Sequence, residues 1–248
     1  MESKDSVKAN EAQDSLESNE IEQSKVGIMR ALVERQDPSA KEVDNLTIRR
    51  FLRARDLDIE KASTLLLKYL SWRRAFVPNG CIAESEIPND LAHNKLFMQG
   101  VDKKGHPIIV VIGARHVHTS TDEFKRFVVY GLDKICASMP TGQEKFIGIA
   151  DLQGWGYANS DIRGYLACLS IVQDCYPERL AKYFIVHAPY LFMTAWKTIY
   201  PFIDNKTRQK LVFVENKKLR STLLNEIDES QLPEMYGGKL SLVPIQDS

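Results

Sequence analysis

The sequence predicts an α/β fold in which a mixed, largely parallel sheet is flanked by helices and preceded by a small all-helical lobe. Three observations predict it. After Pro88, short apolar runs alternate with segments of helical periodicity. The run 108–112 is continuously apolar, as expected of a strand buried on both faces. Before Pro78 the apolar residues recur at helical spacing. We therefore expect a helical lobe over residues 21–80 and an α/β lobe over residues 88–240.

The first segment is polar and acidic. Residues 1–22 hold seven acidic residues against two lysines, and residues 1–20 have no periodic apolar positions. This composition predicts a disordered acidic tail over residues 1–20. A helix follows and stops before Pro38, because apolar residues then recur at helical spacing: Ile21, Ile28, Met29, Leu32 and Val33.

Two further helices complete the predicted helical lobe. Asn45 is a candidate cap for a short helix, and Asp58 is one for a longer helix. The longer helix ends at the stop signal 78–80. Its apolar face consists of Ala62, Leu65, Leu66, Tyr69 and Leu70.

The α/β lobe begins with a predicted hairpin, strands 95–101 and 107–113 around the turn 102–105. Thr121 is the expected cap of a helix that runs to about residue 138. The remaining elements follow in order: a strand at 146–151, a helix at 161–176, a strand at 183–187, an apolar helical stretch at 190–202, a strand at 211–215, and a last helix carrying Leu219, Leu223, Leu224 and Ile227.

The composition limits the classes of function. The chain has 248 residues, of which 44% are hydrophobic, enough for one large domain whose core also lines a cavity. The formal net charge is zero, so no global field favours nucleic acid, and any attraction to anionic surfaces must come from local patches. We expect a monomer without a nucleic-acid partner.

Cysteine usage and hydropathy predict a cytoplasmic protein that, if it meets a membrane, does so peripherally, from outside. The four cysteines contain no CxxC pair and make no disulfide framework, so reduced thiols are expected. No signal peptide opens the sequence, and no uncharged run reaches the roughly 18 to 20 residues of a membrane span.

Catalytic motifs are absent from the sequence. It has no GxSxG elbow and no P-loop, and 154–156 lacks the third glycine of a dinucleotide fingerprint. His116 and His118 alternate as strand ligands of a metal could, but no neighbouring ligand completes a set, so two solvent-exposed histidines are expected. We predict no catalytic residue, no metal and no cofactor, although residues gathered from distant segments leave an enzyme open.

Three segments stand out, each with two interpretations. Residues 49–74 hold eight basic residues against three acidic ones, either a solvated helix face or a surface for anionic lipid. Residues 190–203 carry one charge, Lys197, which fits a fully buried helix or a helix between an internal lipid and the bilayer interface. The polar residues at 176–182 and 204–210 fit caps or surface pairs.

The chain resembles the CRAL-TRIO family, the lipid-transfer domain of phosphatidylinositol/phosphatidylcholine transfer proteins. The motifs that carry the resemblance occur in family order across residues 45–240: FLRAR at 51–55 with Trp72-Arg73, DKKGHP at 102–107, DLQG at 151–154, YPER at 176–179, HAP at 187–189, PFID at 201–204, and Leu232-Pro233 with YGG at 236–238. Each is weak alone, and the set is highly specific.

The resemblance implies a phosphoinositol headgroup site and a gate helix. The matching headgroup positions are Arg55, Glu178, Thr207 and Lys210, all of the required residue type. A buried phosphate needs cationic donors, and inositol hydroxyls need an acceptor, which Glu178 would supply. The implied gate over 190–203 includes Phe192, Trp196, Ile199, Tyr200 and Phe202.

The sequence departs from the family at the second lipid site. Where the family uses two tyrosines and two serines for phosphatidylcholine, this chain has Met98, Ile109, Phe146 and Val172. A choline headgroup would lose its aromatic and hydroxyl partners there. Asp56 also replaces a frequent lysine beside the phosphate. The second lipid is therefore expected to be a sterol or another weakly polar lipid.

Three functions follow in order of preference. The first is binding of one phosphatidylinositol and its transfer or presentation between membranes, without catalysis. The second is a carrier of a sterol or another hydrophobic small molecule. The third is an α/β hydrolase, which the missing nucleophile elbow disfavours.

Overall fold

The computed structural model describes residues 19–248 and divides the chain into two compact units, Met1–Pro78 and Asn79–Ser248. The disordered tail predicted over residues 1–20 lies outside the described residues, apart from its last two positions, and stays a prediction. Within the described part of the chain, no helix is both long and apolar enough to cross a membrane.

The described part of the first unit contains three α-helices: α1 (Glu2–Gln36), which is described from residue 19 onward, α2 (Asn45–Arg53) and α3 (Ile59–Phe76). The apolar face of α3 is buried as predicted, apart from the partly buried Tyr69. α1 is helical over the predicted segment and ends before Pro38, but Ile21 and Ile28 are each 54% exposed. The buried stripe runs instead through Val26, Met29 and Val33, which pack on α2 and α3.

The caps of this unit show how neighbouring polar residues compete. Asp58 caps α3 as predicted and accepts a hydrogen bond from the Lys61 amide at 3.0 Å. The expectation for Asn45 was wrong, because Asp44 is the cap of α2 and accepts from the Thr47 amide at 2.6 Å. Either residue type can cap a helix, and the extended backbone of Asp44 decides between them.

Several basic residues of 49–74 have partners inside this unit. Arg53 donates to both carboxylate oxygens of Glu22, at 2.5 and 2.8 Å, and Arg74 donates to Asp37 at 2.6 Å. Arg50 is buried. These ion pairs connect parts of the helical unit to one another. Neither interpretation, a solvated helix face or a surface for anionic lipid, therefore describes all of residues 49–74.

The second unit is built on a five-stranded sheet in the order β1 (Leu96–Val101), β2 (Pro107–Ile112), β3 (Phe146–Asp151), β4 (Leu180–Val186) and β5 (Leu211–Phe213). β1 is antiparallel to β2, and all other pairs are parallel. The mixed, mostly parallel sheet that the sequence predicts is therefore confirmed. β4 begins three residues earlier than predicted, and β5 ends two residues earlier.

Six helices accompany this sheet: α4 (Pro88–Ala92), α5 (Thr121–Ala137), α6 (Ile162–Cys175), α7 (Phe192–Ile199), α8 (Asn205–Arg208) and α9 (Leu219–Glu226). Ser120 rather than Thr121 caps α5, and it accepts from the Glu123 amide at 3.1 Å. The apolar stretch predicted at 190–202 is split into α7 and a 3₁₀ turn, Tyr200–Phe202.

The strand order determines what covers each face of the sheet. The connections from β2 to β3, β4 and β5 all step the same way, so right-handed crossovers put α5, α6 and α7 on one face. Ile108, Val110 and Phe184 point to the other face, where the core includes Leu223 of α9 and the C-terminal Tyr236. The sheet is thus apolar on both faces, as the continuous apolar run 108–112 predicted.

Candidate lipid-binding cavity

A cavity of about 390 Å³ lies on the face of the sheet that carries α5, α6 and α7. The strand residues that line it alternate with those of the core: Ile109 and Val111 face the cavity, whereas Ile108 and Val110 face the core. The helices contribute Phe127, Leu132, Leu169, Phe192 and Trp196, among others. The cavity surface is almost wholly apolar and suits hydrocarbon.

Three charged residues lie at the amino-terminal ends of the parallel strands, each one or two residues before a residue that lines the cavity. Two of them directly precede a lining residue: Lys145 comes before Phe146, and Lys210 comes before Leu211. The third, Glu178, lies two residues before the lining residue Leu180. Lys210 Nζ lies 3.4 Å from Glu178 Oε2, and Lys145 Nζ lies 3.9 Å from the same oxygen. We call Lys145, Glu178 and Lys210 the rim trio.

Glu178 has an unusual backbone. Its φ is 57°, in the left-handed region that a residue with a β-carbon rarely adopts. The residue lies between the end of α6 and the start of β4, and its carboxylate is held by the two lysines of the rim trio. Such strain persists only where the surroundings impose it, and it clusters at binding sites.

The four headgroup residues implied by the resemblance fall in both units. Glu178 and Lys210 are brought together, and Thr207 lines the cavity. Thr207 is tied to the α8 cap, since its amide and its hydroxyl donate to Asp204 at 2.8 and 2.7 Å. Arg55 belongs to the helical unit, where its guanidinium donates to the Ala54 carbonyl at 3.0 Å.

Three of the four altered second-lipid positions line the cavity: Ile109, Phe146 and Val172. Met98 is half-buried and is the cross-strand partner of Ile109, but it is not among the lining residues. None of the four side chains offers a hydrogen-bond partner to a choline headgroup.

The five gate residues are divided between the cavity and solvent. Phe192, Trp196 and Ile199 line the cavity at spacings of four and three residues. Tyr200 and Phe202 are exposed, as is Tyr190, at 92%. The outer face of α7 is polar, with Thr194, Lys197 and Thr198 exposed. The fully buried interpretation was therefore wrong, and the exposed aromatic side chains flank the helix.

A buried polar cluster lies at the opposite end of the cavity, near the end of β2. Lys95 Nζ donates to Asp90 and lies 3.1 Å from His116 Nδ1, and the Thr119 hydroxyl donates to Asp90 at 2.9 Å. Lys95, Asp90 and His116 form what we call the buried trio. The expectation of an exposed His116 was wrong, because only 4% of the residue is exposed, whereas His118 is exposed.

Burial controls the protonation of this cluster. Burial and, to a smaller extent, the neighbouring Lys95 ammonium together lower the pKa of His116 to about 4, against the opposing effect of Asp161. Burial also lowers the pKa of Lys95, which Asp90 opposes. Among residues 19–248 no group of three or more His, Cys, Asp or Glu side chains is arranged to hold a metal ion.

Comparison with known proteins places this arrangement in a family. The profile of the CRAL/TRIO domain matches residues 91–238, more than half of the chain and nearly all of the unit that holds the cavity. The chain belongs to the CRAL/TRIO domain family. The predicted resemblance is therefore confirmed.

Three curated relatives and one solved structure illustrate the match. The phosphatidylinositol/phosphatidylcholine transfer protein SFH12 of Arabidopsis thaliana is 32% identical over 209 residues, covering 76% of this chain and 38% of its own length. The SEC14 cytosolic factor of Candida glabrata is 26% identical over 216 residues, covering 79% and 71%. The crystal structure of Sfh5 has the same fold, with a TM-score of 0.69 and 17% identity over 91% of this chain and 93% of that one. Patellin-4 of Arabidopsis thaliana, like SFH12, is matched over only 38% of its length.

Proposed function

We propose that the chain binds one phosphatidylinositol, with its acyl chains in the cavity and its headgroup at the rim trio, and transfers or presents it between membranes. The observation that carries the proposal is an apolar cavity together with a lysine and a glutamate 3.4 Å apart, Lys210 and Glu178, which lie one and two residues before the lining residues Leu211 and Leu180. Lys210 donates to the phosphate, and Glu178 accepts from inositol hydroxyls. The names of SFH12 and its relatives support a lipid of this class. No step in this function requires catalysis.

Thr207 extends the proposed headgroup site, whereas the role of Arg55 stays a prediction from the resemblance. Thr207 lines the cavity three residues past the cap Asp204, so its hydroxyl can turn from Asp204 to a phosphate oxygen. Arg55 would supply a guanidinium, which suits phosphate because it presents parallel donors. Its role in this chain rests on the resemblance.

The substitution Lys210→Ala tests the headgroup site. It removes a charge-assisted hydrogen bond, so the affinity for phosphatidylinositol should fall roughly tenfold. This is the low end of the usual range for such a bond, because 20% of the Lys210 side chain is exposed. The measurement is binding and transfer of labelled phosphatidylinositol between vesicles without nucleotide or metal. Lys239→Ala is the matched control, since this exposed lysine has one carboxylate partner, Glu229, at 2.9 Å. If wild-type protein transfers phosphatidylinositol no faster than the protein-free rate, the proposal is contradicted.

Phosphatidylcholine should bind poorly in the same assay. Ile109, Phe146 and Val172 line the cavity without offering a polar partner, and both lysines of the rim trio repel a quaternary ammonium. A sterol or another hydrophobic molecule is the second candidate, because the cavity surface is almost wholly apolar. Native mass spectrometry of the purified protein identifies the lipid that copurifies. Phosphatidylcholine transfer as fast as that of phosphatidylinositol contradicts this selectivity.

The exposed aromatics beside α7 are proposed to meet the bilayer interface. Tyr190 and Phe202 are 92% and 60% exposed, so an aspartate there costs little stability. Phe202→Asp should slow transfer about three- to tenfold while equilibrium affinity and the thermal melt stay unchanged. Trp196→Asp differs, because it places a charge among cavity-lining residues and should lower the melting temperature. Unchanged transfer by Phe202→Asp would exclude this contact.

A further inference from the structure

Lys145 is a second cation beside Glu178 that no sequence motif singles out. It directly precedes β3, whose first residue, Phe146, lines the cavity. Its ammonium approaches the same carboxylate oxygen of Glu178 as Lys210 does, at 3.9 Å against 3.4 Å. Phe146 is also the cross-strand partner of Leu180, two residues past Glu178, so the sheet register fixes Lys145 beside Glu178.

The rim trio has more cationic charge than its carboxylate can neutralise. Two ammonium groups share one carboxylate oxygen, and neither contact is short enough for a strong charge-assisted hydrogen bond. The side chain of Lys145 is 40% exposed, so its ammonium can turn toward an incoming anion. The trio therefore has a net positive charge that an anionic group can neutralise.

We propose that Lys145 is a further headgroup-binding residue that contacts the lipid phosphate together with Lys210 and selects anionic over zwitterionic headgroups. This inference rests on the proposed function of the same site. As the phosphodiester enters between the two ammonium groups, they exchange the carboxylate of Glu178 for phosphate oxygens. Glu178 then becomes available to accept hydrogen bonds from inositol hydroxyls. A choline headgroup cannot follow this path, because its fixed positive charge meets the two ammonium groups of the rim trio.

The experiment compares three single variants of the full chain with wild type. Lys145→Gln removes the charge at similar length, Lys145→Arg retains it, and Lys218→Gln is the control, an exposed lysine 3.3 Å from its carboxylate partner Glu215. Binding of phosphatidylinositol and of phosphatidylcholine is measured with vesicles of each lipid at several salt concentrations. Thermal melts show that each variant is folded.

Lys145→Gln should lower phosphatidylinositol affinity about three- to tenfold, because a partly exposed cation contributes less than a buried one. It should also weaken the salt dependence and reduce the preference over phosphatidylcholine, while Lys145→Arg and Lys218→Gln stay near wild type. Equal losses in Lys145→Gln and Lys218→Gln, or an unchanged lipid preference, overturn the role of Lys145. If wild type binds no phosphatidylinositol, the proposed function itself fails, which is a separate outcome.

Discussion

The two ends of the cavity hold similar groups in different surroundings. At the rim, Lys210 and Glu178 are 20% and 16% exposed and sit 3.4 Å apart. At the opposite end, the side chains of Lys95 and Asp90 are 3% and 0% exposed. His116 lies within hydrogen-bond distance of Lys95, and the Thr119 hydroxyl donates a hydrogen bond to Asp90. Partly hydrated charges can exchange one partner for another at little cost, whereas a buried pair cannot separate without losing its solvation. The rim is therefore suited to binding and the buried trio to stability.

The largest expected effect is at the buried end. Asp90→Ala leaves the Lys95 ammonium buried without its carboxylate, so the free energy of unfolding should fall by about 3 to 5 kcal/mol. The measurement is urea denaturation. Asp122→Ala is the control, because this exposed aspartate pairs with Arg126 at 3.0 Å and should cost less than about 1 kcal/mol. Comparable losses of unfolding free energy in the two variants would show that burial does not make the Lys95–Asp90 pair more important for stability than an exposed pair.

A double variant sharpens the same test. Lys95→Met in the Asp90→Ala background removes the uncompensated charge and keeps an apolar chain of similar length. Part of the lost stability should return, since replacing both members of a buried pair costs less than removing one. Any further loss would show that Lys95 stabilises the unit through His116 rather than through Asp90.

The second effect is the acid sensitivity of His116. Its pKa is about 4 in the folded chain and about 6.5 when unfolded, so the unfolded state binds a proton first as the pH falls. The stability that His116 contributes is complete above pH 6.5 and is lost on descent toward pH 4. Between pH 7 and pH 5 the loss should be about 2 kcal/mol. Asp90, Asp161 and Lys95 face the ring, and the value already contains their effects.

Two histidine variants isolate this contribution. His116→Gln should flatten the dependence of unfolding free energy on pH between 7 and 5, whereas His118→Gln should leave it unchanged, because His118 is exposed. The quantity compared is the slope for each variant, so a uniform loss of stability in His116→Gln does not affect the result. Equal slopes for wild type and His116→Gln would mean that the ring is accessible to protons in the folded chain.

The fold was largely predictable because its signals are local. Continuous apolar runs and turn residues located all five strands, including 146–151 with both bounds correct. The errors occurred where a local signal has two equivalent solutions. Adjacent Asp44 and Asn45, or Ser120 and Thr121, are all capping residues, and the choice depends on backbone angles. Which apolar residues of α1 are buried depends on where α2 and α3 pack, and helical spacing alone does not decide it.

The candidate site was less predictable, since its residues come from distant segments. Glu178 and Lys210 were found only through the resemblance, because alone they fit ordinary surface pairs. His116 was expected to be exposed, but it is buried in a cluster with Lys95 and Asp90, which lie 21 and 26 residues earlier in the chain. Lys145 carries no motif and acquires its place from the register of β3 and β4. Some motif residues instead contact one another inside the fold. Asp151 accepts a hydrogen bond from the Tyr236 hydroxyl at 3.0 Å and lies 2.9 Å from His187 Nδ1.

The smallest expected effect concerns the backbone of the rim. Glu178 has a φ of 57°, which costs a residue with a β-carbon about 1 to 2 kcal/mol and costs glycine nothing. Glu178→Ala and Glu178→Gly both remove the carboxylate, so the ion pairs with Lys145 and Lys210 are lost equally in both. The difference in unfolding free energy between the two variants therefore isolates the backbone term. Glycine also stabilises the unfolded chain through its greater conformational entropy, by about 0.4 to 1 kcal/mol. The net advantage of the glycine variant should therefore be about 0.5 to 1 kcal/mol.

Both variants should lose phosphatidylinositol affinity to a similar extent, because both lack the carboxylate that accepts from inositol hydroxyls. Denaturant unfolding and vesicle binding of the same preparations measure the two quantities. If the alanine variant is the more stable, the left-handed conformation is imposed by the carboxylate and its two lysines, and it relaxes once they are separated.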